Sequence, residues 1–312
     1  MECAFISVLA SPVNESKTDT YFTKSLAKCL VIRYSEDMYL AIDIGGTKTL
    51  VALFTDWGKI VKRFKFKTPR GSKRFVDELT TALKNGFVRK SVKVVVVTIP
   101  GVVQKNYTVK FGNRDWPDLD LITPLKELFT CPIYFENDAN LATLYEGSFY
   151  KGKTVFLTFS TGIGGGVVEN GELLPESAKF EPGHKIYEYN GKKAEWEDIA
   201  AASALEKFYH VDMATDLRKK EVMEDVAKRM WLGLEDVISE YQPKTIILGG
   251  PMGKIFRRYA KYIPASKGVK YVRPRRPLES PVYGCYFYAK KHTPEGQKTK
   301  KTKGGKKQKK EA

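Results

Sequence analysis

The sequence predicts an α/β fold of two related lobes with a cleft between them. Three observations carry this. Apolar strands alternate with segments of helical period along most of the chain. A strand, a glycine turn carrying threonine, and a returning strand occur at 39–54 and again at 154–169, an offset of about 115 residues. The 312 residues exceed what one small core needs. An internal repeat says more than either copy alone, and the space between two copies is where ligands bind.

Residues 1–37 show no sustained period and contain the polar run SPVNESKTDT. They read as a disordered extension, or as residues ahead of a true start at Met38. Tyr39–Ile44 is an apolar strand ending near Asp43, Gly45-Gly46 turns the chain, Thr49–Phe54 returns it, and Lys59–Phe66 alternates as a third strand. Lys73–Asn85 is a helix with Phe75, Leu79 and Leu83 on one face. Lys93–Ile99 is a buried strand stopped by Pro100-Gly101, Thr123–Leu128 is helical, and Ile133–Phe135 is a short strand before a helix from Asp138. The pattern then restarts. Thr154–Phe159 is a strand, Gly162–Gly166 a turn, Val167–Glu169 a return and Asn170-Gly171 a hairpin turn. Trp196–Phe208 and Val222–Tyr241 are helices, Lys244–Leu248 is a strand ending at Gly249-Gly250, and Pro281–Lys291 is a closing helix with Gly284 at a close backbone contact. The division expected is an N-terminal lobe over 38–139 and a C-terminal lobe over 140–289, with the last helix returning to the first lobe. A basic tail over 290–312 follows.

Composition excludes several classes. At 42% hydrophobic and 12% aromatic the chain is globular. No apolar run approaches the ~20 residues that span a bilayer, and no basic region precedes the apolar Cys3–Ala10, so neither a membrane protein nor a secretory signal is read. Cys3, Cys29, Cys131 and Cys285 are scattered, which disfavours disulfides and fits a reducing cytoplasm. The net charge is +17, and residues 290–312 hold ten Lys against two Glu. That tail is too polar to fold alone. It is either a solvated end or a weak contact for nucleic acid or other anionic surfaces.

The chemistry-bearing segments follow the same repeat. In Asp43-Ile44-Gly45-Gly46-Thr47-Lys48 the glycines let backbone N–H groups approach phosphate oxygens, Thr47 and Lys48 add a hydroxyl and a charge, and Asp43 can hold Mg²⁺ through water. The bland alternative is a hairpin turn. Thr161-Gly162-Ile163-Gly164-Gly165-Gly166 is richer in glycine than a hairpin needs, and that conformational cost points to phosphate contact. Asn137-Asp138 opens a helix, so either residue serves as a cap, or Asp138 is a carboxylate that deprotonates an attacking hydroxyl. Glu181-Pro182-Gly183-His184 is a turn that brings a carboxylate and an imidazole together, a pair suited to sugar hydroxyls. Gly249-Gly250 ends a strand and leaves room for a flat ring or ribose.

In order, these segments resemble the ROK family of sugar kinases and sugar-responsive repressors, within the actin/hexokinase superfamily, over roughly Met38 to Lys290. The resemblance implies two lobes of a duplicated ribonuclease H-like, actin-like ATPase fold. It assigns Asp43, Gly45, Gly46, Thr47 and Lys48 to the first phosphate motif and Thr161, Gly162, Gly164 and Gly165 to the second. Gly249 and Gly250 fall in the adenosine motif, and Gly101 in the turn lining the cleft. It makes Asp138 the catalytic base and places Asn113, Asn137, Asp138, Glu181, His184 and Glu197 at the sugar. Many family members hold zinc with three cysteines and the histidine. Here Glu188, Asn190 and Glu195 stand at the cysteine positions, so no structural zinc is expected. The expected activity is transfer of the ATP γ-phosphate to a hexose, glucose-like and at the 6-hydroxyl, with Mg²⁺ as cofactor. A sugar-sensing regulator and a kinase for an amino sugar or mannose are the alternatives. A homodimer is compatible with this reading.

Overall fold

The structure is a computed structural model and describes residues 37–89, 91–103, 108–111, 116, 119–210 and 219–293. Asn113 and the residues of both expected extensions, 1–36 and 294–312, lie outside the described residues.

The first half is built on three antiparallel strands, β1 (Met38–Ile44), β2 (Lys48–Thr55) and β3 (Ile60–Lys67). Helix α1 (Ser72–Lys84) buries Phe75, Leu79, Ala82 and Leu83 on one stripe and carries the chain to β4 (Val92–Ile99), parallel to β1. Short strands β5 (Gly101–Val103), β6 (Thr108–Phe111) and β7 (Leu119–Asp120) form a separate sheet. Helix α2 (Ile122–Leu128) leads to β8 (Ile133–Asn137), and α3 (Asp138–Gly147) starts at the next residue.

The second half repeats this plan. It comprises β9 (Lys153–Phe159), β10 (Ile163–Glu169) and β11 (Glu172–Leu173), then a hairpin of β12 (Ile186–Tyr189) and β13 (Lys192–Glu195). Helices α4 (Trp196–Ala200), α5 (Ala202–Tyr209) and α6 (Lys220–Tyr241) precede β14 (Thr245–Gly249). Helices α7 (Gly250–Lys254) and α8 (Phe256–Tyr259), strand β15 (Lys270–Val272) and helix α9 (Ser280–His292) complete it. The large sheets run β3-β2-β1-β4-β8 and β11-β10-β9-β14-β15, the same order when each is numbered from its own start.

Alternation in β1 explains why the first sheet is covered on both faces. Leu40, Ile42 and Ile44 join the core under α1 and α2, whereas Tyr39 and Ala41 face α9 and α3. Helix α9 comes last in the chain yet packs on the first sheet. At Gly284 an added Cβ would lie 2.0 Å from the Leu141 carbonyl oxygen of α3, so the two helices touch backbone to backbone.

Three local readings change. The glycine run is not a turn: residues 163–169 are strand β10, and the turn is confined to Ser160–Gly162. The single helix read over 196–208 is broken at Ala201, which is extended at φ −63° and ψ 154°. The break is tertiary, because the Ser203 N–H donates to the Ser160 carbonyl at 3.1 Å and its hydroxyl to Thr161 O at 2.7 Å. Helix α9 runs on through His292, with Lys290 and Lys291 paired to Asp56 and Glu172. The basic residues at 290 and 291 are therefore helical.

Candidate active site

Strand register lays a polar row across the first sheet. Asp43 pairs with Leu50, Leu50 with Lys65, Asp43 with Thr98, and Thr98 with Glu136. Register partners share a face, so Lys65, Asp43, Thr98 and Glu136 stand on the side that carries α3 and α9. The Thr98 hydroxyl is buried and has no hydrogen-bond partner among the described residues. The turn after Asp43 is braced from β3's end: Thr68 Oγ1 donates to Gly45 O at 2.8 Å, Thr68 N–H to Thr47 O at 3.0 Å, and Gly45 N–H to Lys48 O at 3.0 Å. Gly46, Thr47 and Lys48 are exposed, and a Cβ at Gly46 would meet no atom within 4 Å.

The cap of α3 is Asn137. Its Oδ1 accepts from the N–H groups of Ala139 at 2.8 Å and Asn140 at 3.2 Å. Asp138 is the first helical residue, and its carboxylate takes only a further bond from Ala139 N–H at 2.8 Å. Burial pushes Asp138 up to about 6, Glu181's charge adds to this, and the N–H groups of Ala139 and Asp138 itself oppose it. Asp43 rises to about 7, first through burial and then through the charge of Asp138, with Lys65 opposing. Two half-buried carboxylates from opposite ends of the first half thus stand close enough for one to feel the other's charge.

The glycines of the second motif have packing reasons. A Cβ at Gly162 would lie 2.5 Å from Glu197 Oε2, at Gly165 2.3 Å from Phe156 O, and at Gly166 2.7 Å from Thr143 Oγ1 of α3. Glycine at 165 and 166 is therefore demanded by the neighbouring strand and α3, and the cost argument for phosphate loses its force at those two, whereas a Cβ at Gly164 would make only ordinary contact, 3.6 Å from the Ala139 Cβ. Glu197 is held by the Ile163 N–H at 3.2 Å, and Thr161 remains exposed. At the end of β14, Gly249 pairs with Thr158, and Gly250 has φ +68° and sits against the Phe159 carbonyl. Gly101 follows Pro100 as the first residue of β5.

Glu181 and His184 lie on a short 3₁₀ turn and are exposed. His184 Nδ1 meets Glu195 Oε2 at 2.9 Å and Glu197 Oε1 at 4.0 Å. The Glu195 hydrogen bond, then the charges of Glu197, Glu195 and Glu181, hold His184 above the ordinary histidine range against a small opposing effect of burial. Of the three residues at the cysteine positions, Glu195 is the one that meets His184. Glu188 pairs with Lys193 along the hairpin, and Asn190 turns it at φ +53°. The hairpin is pinned to α6: Tyr187 donates to Asp236 at 2.6 Å, Tyr189 donates to Asp225, and Arg229 Nε donates to Asp225 at 2.6 Å. His184, Glu195 and Glu197 offer one nitrogen and two oxygens within 4.8 Å of one another.

Asp43 and Lys48 line a hollow of about 960 Å³ together with Lys65, Arg275 and Arg276. Thr161 and Glu197 line another of about 680 Å³ with Ser203 and Arg229. Lys65, Thr98 and the two arginines escaped the sequence reading, which named Glu195 only as a residue at a cysteine position and not as the partner of His184. Asn190-Gly191, a hairpin dipeptide, was the available signal for the strand that carries Glu195. Among the described residues no helix is long and apolar enough to cross a membrane.

Comparison with known proteins agrees with this geometry. A family model described as the ROK family matches residues 39–266. The xylose repressor of Bacillus spizizenii is 29% identical over 178 residues, covering 49% of this chain and 46% of that protein. The glucokinase of Thermotoga maritima is 30% identical over 186 residues, covering 54% and 59%. The chain spans about half the length of the curated relatives it matches. A glucokinase from Streptomyces griseus, solved with glucose and AMPPNP, superposes with a TM-score of 0.66 at 21% identity, covering 80% of this chain and 97% of that one. The two sheets are the two lobes of a duplicated actin-like ATPase fold.

Proposed function

The chain belongs to the ROK family, which includes glucokinases as well as repressors, and we propose that it is an ATP-dependent sugar kinase with Asp138 as general base. The observation that carries this reading is the division of labour at the start of α3. Asn137 caps the helix through the N–H groups of Ala139 and Asn140, so the Asp138 carboxylate shares only the Ala139 N–H, keeps its other oxygen for a ligand, and is pushed up to about 6 by burial. A base in that range is mostly ionised at neutral pH yet still attracts a proton.

In the proposed reaction a hexose hydroxyl, the 6-hydroxyl of a glucose-like sugar first, attacks the γ-phosphorus of ATP. The new bond joins the sugar oxygen to phosphorus, the bond from phosphorus to the bridging oxygen breaks, ADP departs, and the hydroxyl proton passes to Asp138. Positioning is the protein's main contribution. His184, fixed through Nδ1 by Glu195, presents its other ring nitrogen to a sugar hydroxyl, and Glu181 and Glu197 accept from neighbouring hydroxyls. Asn137 has its oxygen in the cap, so its sugar contact falls to the amide nitrogen. Gly101 and Asn113 complete the sugar side. Gly45, Gly46, Thr47 and Lys48 face the phosphates from the first turn, Thr161, Gly162, Gly164 and Gly165 from the second, and Gly249 and Gly250 border the nucleoside.

The donor set fits Mg²⁺. Asp43 is an oxygen donor whose charged form is disfavoured by burial and by the neighbouring Asp138 carboxylate. Asp43 would hold the ion through water, and the ion supplies neutralisation of phosphate charge. His184 is served by Glu195 in place of a metal, and no structural zinc is proposed.

The test is a coupled assay with ATP·Mg²⁺ over glucose, mannose, fructose and N-acetylated amino sugars. Asp138→Ala should lower kcat by about 10²–10⁴-fold while sugar binding stays measurable by calorimetry. Sugar binding without turnover in the wild type would move the chain to the sensing branch of the family. Full activity in Asp138→Ala would remove the base.

A further inference from the structure

The hollows on the open edge of the first sheet collect most of their charge with one sign. Three of them, of about 960, 520 and 470 Å³, share Arg276, and the first two also share Arg63 and Glu279. Their linings hold nine Lys and Arg against Asp43 and Glu279. Glu279 is already engaged, with Arg63 at 3.5 Å and Arg276 at 3.4 Å. Seven of the cations come from β3, including Lys59 before it, and from the loop Arg273–Arg276 opposite; Lys48 of β2 and Lys254 of α7 are the other two.

The same face carries exposed apolar side chains. Of the eight large hydrophobic residues exposed among the described residues, Phe64 and Leu278 line the first hollow, Val61 lines the second, and Trp57 directly precedes the second hollow's Gly58. Trp57 is 77% exposed at the turn before β3, and Phe64 is 45% exposed on it. Arg275 lies over Phe149 at 3.9 Å and Arg276 over Tyr283 at 4.2 Å, so both guanidinium planes are backed by rings.

This loop is built. Glu146 of α3 is fully buried, and its carboxylate accepts from Arg275 N–H at 2.8 Å, Arg276 N–H at 2.9 Å and Ser280 Oγ at 2.6 Å. A buried carboxylate is costly unless every bond is made. Here its bonds fix the backbone of two successive arginines, which sends both side chains outward.

Lysines on an edge strand alone would be read as protection against strand pairing. That need does not place an exposed Trp and Phe among them. A bare polyanion such as inorganic polyphosphate would use the cations and find no use for the rings. Cations that track a backbone, interleaved with π-faces on which bases stack, suit single-stranded nucleic acid. We propose that single-stranded nucleic acid binds along β3 and the arginine loop. Its phosphates lie on Arg63, Lys65, Arg275 and Arg276, and its bases lie against Trp57 and Phe64. Binding needs no catalysis, but the first hollow is also lined by Asp43 and Lys48 of the phosphate turn, so the strand and ATP should compete there.

The test is fluorescence anisotropy of labelled 12-nucleotide rU and dT strands on the full chain across a salt series. Four phosphate contacts predict a log–log salt slope of about −3. Arg63→Gln with Lys65→Gln should weaken binding about tenfold or more and flatten the slope by about 1.4. Trp57→Ala with Phe64→Ala should weaken it at least fivefold with the slope unchanged, since each stacked base contributes about 1–3 kcal/mol. All four side chains are on the surface, and circular dichroism checks the fold. Unchanged affinity in both double variants would locate any attraction in the lysine-rich 298–310 and overturn the proposal. So would linear polyphosphate displacing the strand while the ring substitutions have no effect, or absence of binding near 50 mM salt.

Discussion

The two glycine turns have the same place in their lobes and opposite surroundings. Gly46 is exposed, with no atom within 4 Å of where a Cβ would stand, whereas a Cβ at Gly162 in the second turn would lie 2.5 Å from Glu197 Oε2, and one at Gly165 in the strand that follows 2.3 Å from a backbone oxygen. The first turn is held by Thr68 beneath it and left open above. The second is closed in by Glu197, Phe180 and α3. At the repeat offset, Asp43 of β1 answers to Thr158 of β9, so only the first copy has a carboxylate at this position. Duplication supplied the plan twice; one copy holds the acid and the open turn, the other the rigid wall.

Substitutions can break this contrast or sharpen it. The largest effect should come from making the first copy resemble the second: Asp43→Thr is expected to lower kcat about a hundredfold or more, the scale of a lost electrostatic contact at a reacting phosphate. Wild-type turnover in that variant would show the copies to be equivalent. Gly165→Ala should destabilise the fold by about 2 kcal/mol or more, because backbone must move. Gly46→Ala should leave the melting temperature within about a degree and raise KM for ATP. Chemical denaturation and steady-state kinetics separate the two, and equal stability losses would erase the distinction.

Smaller effects follow from pH. The kcat/KM profile should rise through about pH 6 as Asp138 ionises. For stability the sign is the reverse of an ordinary salt-bridged carboxylate. Asp43 binds its proton more tightly in the folded chain, near 7, than at the ordinary aspartate value of 3.8 that holds in the unfolded chain. Its contribution is present below about pH 4 and is lost as pH rises through about 7. Asp43→Asn should therefore match the wild type at pH 4 and exceed it at pH 8 by at least about 1 kcal/mol, since each tenfold change in proton affinity is worth ~1.4 kcal/mol. A variant less stable at pH 8 would show that Asp43 is paired in the folded chain.

What the sequence made legible was local. Buried strands such as Val92–Ile99 and dipeptides such as Asn170-Gly171 announce themselves within a few residues. The row Lys65, Asp43, Thr98 and Glu136 could not be read, because it depends on register among five strands spread over about 100 residues, Met38 to Asn137. The break at Ala201 is imposed by Ser160 and Thr161, some 40 residues earlier, against a helical period that continues through it. Glycines 162–166 illustrate the ambiguity best: their abundance is visible in sequence, but whether a ligand or a neighbour requires it depends on what stands beside them. The choice between Asn137 and Asp138 as cap was open for the same reason, and one hydrogen-bond pattern decided it.

Helix α3 has Asp138 at its first residue and Glu146 near its last, about 12 Å apart along the axis. One end faces the cleft and the other grips Arg275 and Arg276 by their amides. With Gly284 of α9 flush against Leu141, the helix has little room to bend. Taken as a rigid rod, it is a lever whose fulcrum is the contact at Leu141. A tilt that carries the arginine loop one way swings the carboxylate the other, and inserting one residue would rotate one end by about 100° against the other.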